Sequence, residues 1–341
     1  QEFVCAAQAV LPAPSGVAAK ALGELPPGAP PTRGRISVLV IFAKFADEAP
    51  HLRQAPAYAP SLFDAELPGS FTHFYQTMSA GQLQVQGTVL TRRYVSEEKA
   101  SAYLAAGDGQ LGEFGRFVAE ILEKVDRDVD FGLFDNDGPD GVPNSGDDDG
   151  VVDYVFVNML SVPRWFLLNR ASGIANLGLD EPYESRDIGR NGEPITIKSG
   201  ISRGAIQQEG TFSKTVGVMA HEFGHRWLLS DLYDLKYQGP VDDSGGIGKW
   251  GLMGWGAHGW TGRDGPAAFC ARTLERMGWI GQDNERLIEL REDAIGLVLE
   301  DMHAGGSIVK IPLRVGVVSE YSFAQEYLLL EQRTRTFYNR N

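Results

Sequence analysis

A chain of 341 residues, 43% hydrophobic and 22% charged, has a globular protein's composition and can bury a sizeable core without disulfide staples. The 31 Lys and Arg against 45 Asp and Glu leave a formal net charge of −14, which argues against nucleic acid or an anionic membrane as partner. Two cysteines exclude a disulfide framework and a Cys-rich zinc site, and no apolar run approaches the ~20 residues of a membrane span.

The chain opens at Gln1 with no charged-then-apolar leader, and reads as a mature or trimmed product. Residues 1–34 read as a linker or propeptide remnant, because Pro12, Pro14, Pro26, Pro27, Pro30 and Pro31 deny it a helix or central strand. Arg35 to Phe45 is a β-branched run and predicts a buried strand. Phe71 to Ser79 predicts a short helix, and Leu83 to Tyr94 alternates as a strand does. Leu111 to Val125 carries apolar residues at helical spacing. Val151 to Leu160 and Pro194 to Ser199 predict strands. Ser213 to Leu229 predicts a helix capped by Ser213, and Pro266 to Met277 another, stopped by Gly278. Beyond Trp279 the text holds strands alone: Leu287 to Leu290, Gly296 to Asp301, Ser307 to Val315 and Tyr321 to Glu331. The order predicts an α/β (α+β) body over 35–282 and the start of a β-rich extension over 283–341.

The chemistry concentrates in His221-Glu222-Phe223-Gly224-His225. Four residues make about one helical turn, so the two imidazoles project from one face and can hold a single Zn²⁺. Glu222, one step round, can take a proton from water and pass it to a leaving amine. Val216, Met219, Ala220, Phe223 and Trp227 make the helix's apolar face, which leaves the histidines on another. Asp231 follows His225 by six residues, the spacing of the third ligand in the pattern H-E-x-x-H-x-x-G-x-x-H. That pattern has Gly where this chain has Leu228, and a non-Gly residue in the left-handed region costs about 1 kcal/mol. Asp234 is the alternative ligand. Met253 lies in a Gly-flanked turn, Trp250 to Trp255, of the kind that forms an apolar floor under a zinc site. Trp255 and His258 are candidate hydrogen-bond donors to a developing oxyanion.

A second cluster runs from Asp135 to Asp153. Carboxylates at alternate positions between Gly turns suit Ca²⁺, with Asp135, Asp137, Asp147 and Asp149 as the expected contributors. Asp234, Asp242 and Asp243 are candidates for another cation. Ile195 and Ile197, just upstream of the active-site helix, are candidates for an edge strand that binds an extended peptide.

Several of these segments resemble the immune inhibitor A family of secreted bacterial metallopeptidases. HEFGHRWLLSDLYD, GIGKWGLMGWGAHGW and the segment ending MGW carry the resemblance most specifically. VLVIFAKFAD, FYQTMSAGQLQVQGTV, VDFGLFDNDG with DDDGVVDYVFV, and EYLLLEQR extend it. The resemblance implies a metzincin-like zincin domain with a twisted mixed sheet, one catalytic zinc, structural calcium and a peptide or protein substrate cut outside the cell. Three other readings stay open. One is a thermolysin-like arrangement with Glu275 as third ligand, another a latent form, and the third a calcium-dependent binding protein with a non-catalytic zinc. A Cys5–Cys270 disulfide is also open, as is a Cys5 thiolate on the zinc.

Overall fold

The computed structural model describes residues 25, 29–168, 171–200, 202–233, 245–261, 264–313, 326–334 and 338. Asp234, Asp242, Asp243, Cys5 and residues 1–24 lie outside them, and with them the readings they carry.

The apolar run after Arg33 forms β1 (Gly34–Lys44). Its side chains alternate between two cores: Val38, Val40 and Phe42 enter one, Leu39, Ile41 and Ala43 the other. A strand covered on both faces needs an unbroken apolar run, and this one has it. α1 (Phe71–Met78) starts where the Ser70 side chain accepts from the His73 amide, and packs Phe71, Phe74 and Tyr75 into the first core. β2 (Leu83–Val95) returns parallel to β1. α2 (Phe114–Val125) begins three residues later than its apolar spacing predicts. Leu111 lies exposed before it, while Phe117, Val118, Ile121 and Val125 fill the second core.

β3 (Tyr154–Met159) pairs parallel with β1, β4 (Gly173–Ile174) is only two residues long, and β5 (Tyr183–Ile188) forms a hairpin with β6 (Pro194–Ile197). β7 (Gly204–Gln208) pairs parallel with β3 and antiparallel with β4. The main sheet therefore runs β2-β1-β3-β7-β4, parallel except for β4 at its edge. Mixed sheets commonly carry such an antiparallel edge strand.

α3 (Phe212–Gly224) is capped by Thr211 rather than Ser213, and tightens into a 3₁₀ turn through Trp227. α4 (Ala271–Met277) starts well after Pro266. The segment before it stays extended because its amides are committed elsewhere, Ala267 to the Gly256 carbonyl and Ala268 to that of Tyr338. Last come β8 (Leu287–Glu289), β9 (Ile308–Pro312) and β10 (Tyr327–Leu330), a small sheet in the order β10-β9-β8. Gly296 to Asp301 makes no strand; Gly296 has φ +78° and Ile295 and Val298 stand in solvent. The architecture is a mixed α/β body with few helices followed by a β-rich region.

Candidate active site

α3 turns Val216, Met219, Ala220 and Phe223 into the first core. On its other side His221 and His225 stand one turn apart, with ring centroids 5.0 Å from each other. Their outer nitrogens are fixed by main-chain carbonyls: His221 Nδ1 donates to Leu252 O at 2.9 Å, and His225 Nδ1 to Leu229 O at 2.7 Å. A carbonyl oxygen can only accept, so each Nδ1 carries a hydrogen, and Nε2 is the nitrogen that each ring can offer to a cation. Both Nε2 atoms face one carboxylate oxygen, Asp231 Oδ1, at 2.9 and 3.5 Å.

Asp231 reaches the histidines because the chain reverses at Leu228, which sits in the left-handed region at φ 57°, ψ 30°. The turn expected of glycine is thus made by leucine, with its side chain 40% exposed. The Met253 turn locks the returning chain, since the Leu232 amide donates to Met253 O at 2.8 Å and Ile247 in turn to Leu232 O at 2.9 Å. Met253 is buried directly beneath α3. A Cβ on Gly224 would lie 2.6 Å from its sulfur, so the missing side chain between the histidines makes room for the floor.

Charge follows geometry. Burial alone would lower the His225 imidazole, but its hydrogen bond to Asp231 and that carboxylate's charge outweigh burial and raise it to about 9. Burial would likewise raise Asp231, and the two imidazoles hold it well below the usual carboxylate range instead. Two imidazole nitrogens and a carboxylate oxygen, all within 4.8 Å of one another, are the donor set zinc takes. Nδ1–carbonyl bonds such as theirs are the outer contacts that orient histidines in metal sites. The residues present fit the ion.

Glu222 is fully buried beside this group. His258 ends the 3₁₀ turn Trp255–His258, which packs against α3 so closely that a Cβ on Gly217 would meet Ala257 O at 1.9 Å. Burial first, then the charges of Lys214 and His221, push His258 down to about 4, so it is neutral at pH 7. Trp255 is 36% exposed. Glu275 is not part of the group. It joins α4 to the small sheet through Lys310 and Tyr327, both at 2.7 Å, and pairs within the helix with Arg272 at 3.0 Å. Cys270 precedes α4, near Thr273.

Ile195 and Ile197 are buried in the second core, and β6 offers no open edge. β5 occupies one side and residues 150–152 the other, with Thr196 N donating to Gly150 O and Val152 N to Thr196 O, both at 2.9 Å. The edge nearest Glu222 is β4, too short to leave a pattern in the sequence. A Cβ built on Gly173 would stand 2.7 Å from Glu222 Oε1.

The acidic loop brings together Asp135, Asp137 and Asp148, with one oxygen of each inside 4.8 Å. Asp147 instead faces Ser145 and the Asp140 amide, and Asp149 pairs with Arg203 at 2.8 Å. Of three successive aspartates the turn points only the middle one inward. Asp135 is 1% exposed; its Oδ2 accepts from Gly150 N, while Oδ1 has no hydrogen-bond partner among the described residues. Burial, with Asp148 and Asp149 nearby, pushes Asp135 up to about 7. Buried Asp153, pushed up to about 6, also leaves one oxygen unpaired beside this loop. Sequence reasoning missed Asp148 and Asp153, although both stood in the same acidic run.

Residues 205–277 match the catalytic domain of the immune inhibitor A peptidase M6 family. A pre-pro-metalloprotease PrtV of Vibrio cholerae is 28% identical over 218 residues, covering 59% of this chain and 22% of the relative. An immune inhibitor A of Bacillus thuringiensis is 28% identical over 224 residues, covering 60% of this chain and 30% of the relative. The chain thus spans less than a third of the length of these curated relatives. No helix among the described residues is long and apolar enough to cross a membrane.

Proposed function

We propose that this chain, which belongs to the immune inhibitor A-like metallopeptidases, is a zinc-dependent endopeptidase acting on proteins outside the cell. The observation that carries the reading is the convergence of His221 Nε2, His225 Nε2 and Asp231 Oδ1 beside the buried carboxylate of Glu222. A zinc ion held there would polarise a peptide carbonyl and bring the pKa of its water to about 7. Glu222 accepts the proton of the attacking water and delivers it to the leaving amine. His258, neutral and beside α3, donates to the developing oxyanion, and Met253 keeps the ligand floor dry. Among the described residues β4 pairs only with β7, and its outer edge suits an extended peptide added antiparallel across Glu222.

Residues 35–282 form the catalytic unit in this reading, and 283–341 begin a β-rich domain. The acidic loop takes Ca²⁺ through Asp135, Asp137 and Asp148, where an unpaired buried carboxylate oxygen is otherwise costly.

Zinc content and casein cleavage, measured together on the wild type and Glu222→Ala, test the function. One zinc per chain in both, with cleavage by the wild type alone, is the expected result. Zinc in both and cleavage in neither would replace the proposal with a latent or purely binding protein.

A further inference from the structure

We infer that Gly173 is a positioning residue for Glu222: its bare α-carbon in β4 sets where the carboxylate stands, and no side chain fits there unless the carboxylate moves. The inference rests on the proposed role of Glu222.

Three observations carry it. A Cβ on Gly173 would lie 2.7 Å from Glu222 Oε1, closer than any real contact, and only 3.3 Å from Gln207 Cβ and Val218 Cγ1. The backbone at that point cannot retreat cheaply. Gly173 pairs with Gln207 and Ile174 with Ile206, and the Gln208 amide donates to Ser172 O at 2.7 Å. What yields is therefore the flexible tip of Glu222. Nothing in the Gly173 backbone demands glycine, since its φ lies outside the left-handed region. Space is what demands it.

Gly173→Ala should thus leave the fold intact and displace the proton acceptor. A carboxylate swung out of line loses alignment with both the water and the leaving amine, whereas peptide binding along β4 is untouched. We expect kcat to fall roughly ten- to hundred-fold, part of the 10²–10⁴ that general acid–base catalysis supplies. KM and zinc content should stay as in the wild type.

The experiment measures kcat, KM and bound zinc for the wild type, Gly173→Ala, Glu222→Asp and the double variant. It also follows the visible spectrum of the cobalt-substituted proteins against pH. Aspartate is one methylene shorter and clears the position-173 side chain, so adding Gly173→Ala to Glu222→Asp should cost little more. The spectral midpoint should differ between wild type and Gly173→Ala and coincide between Glu222→Asp and the double variant. An unchanged kcat in Gly173→Ala, the same fold-loss in both backgrounds, or loss of zinc would overturn the inference. If Gly173→Ala does not fold, a folded double variant supports it and an unfolded one overturns it. If the zinc-loaded wild type cleaves nothing, the proposed function fails, and the cobalt midpoints alone decide the positioning role.

Discussion

Replacing Gly224 by Ala sets two effects of opposite sign against each other at the helix that leads to His221 and His225. Alanine in a helix is ordinarily worth up to ~1 kcal/mol over glycine, and Gly224 has helical φ −56°, ψ −34°. Its Cβ, however, would lie 2.6 Å from Met253 Sδ and 3.3 Å from Cε. Overpacking of that kind costs about 1–3 kcal/mol. Met253 is 1% exposed, and its turn is tied to the returning chain by the Leu232 amide. The side chain has little room to yield, so we expect a net loss of ~1–2 kcal/mol. The strain reaches the proposed metal ligands because Leu252 O, the neighbour of Met253, holds His221 Nδ1. Disturbing such an outer contact weakens metal affinity about 10–100-fold. Urea unfolding with and without chelator gives the stability term, and chelator competition gives the zinc affinity. Met253→Ala alone should cost ~2–5 kcal/mol through the cavity it leaves. The double variant should cost less than the sum, because the alanine methyl enters that cavity. A Gly224→Ala protein at least as stable as the wild type, with unchanged zinc affinity, would refute the reasoning.

Arg93 and Glu209 form a nearly solvent-free bidentate pair at 2.8 and 2.9 Å, two residues before the Thr211 cap of α3. Arg93→Ala should cost ~3–5 kcal/mol in urea unfolding, and replacing both partners by apolar residues should cost less. His303 is pushed from its ordinary 6.5 down to about 4, by burial first. A pKa lower in the folded than in the unfolded state gives stability that is complete above pH 6.5 and lost as pH falls towards 4. The loss is ~2 kcal/mol, and His303→Gln should flatten that slope when unfolding is compared at pH 7 and 4.5. Calcium at a hundred times its dissociation constant should stabilise the chelator-stripped protein by about 2.7 kcal/mol. Asp148→Asn should abolish that gain and Asp147→Asn should leave it, as differential scanning calorimetry would read.

Features set by local periodicity were legible in the sequence. A continuous apolar run makes β1 a strand buried on both faces, and the residues that alternate along it divide between the two cores. The helical turn alone puts His221, in α3, and His225, in the 3₁₀ turn that continues it, on one face, whatever surrounds them. What surrounds them was decided by the fold. Leu228 takes the left-handed turn although leucine does not favour it, because the chain beyond is held by the Met253 turn. The segment from Pro266 stays extended because distant carbonyls claim its amides. β4 has two residues and no pattern, yet it forms the sheet edge beside Glu222, and β6, which had the pattern, is enclosed on both sides. One turn in the acidic loop selects Asp148 over its two neighbours. Periodicity is a property of neighbours along the chain, so the sequence by itself determined β1, β2 and β3 and the helix that leads to the histidines. Edges, turns and the third carboxylate depend on hydrogen bonds between residues far apart in the chain, and only the tertiary structure could decide them.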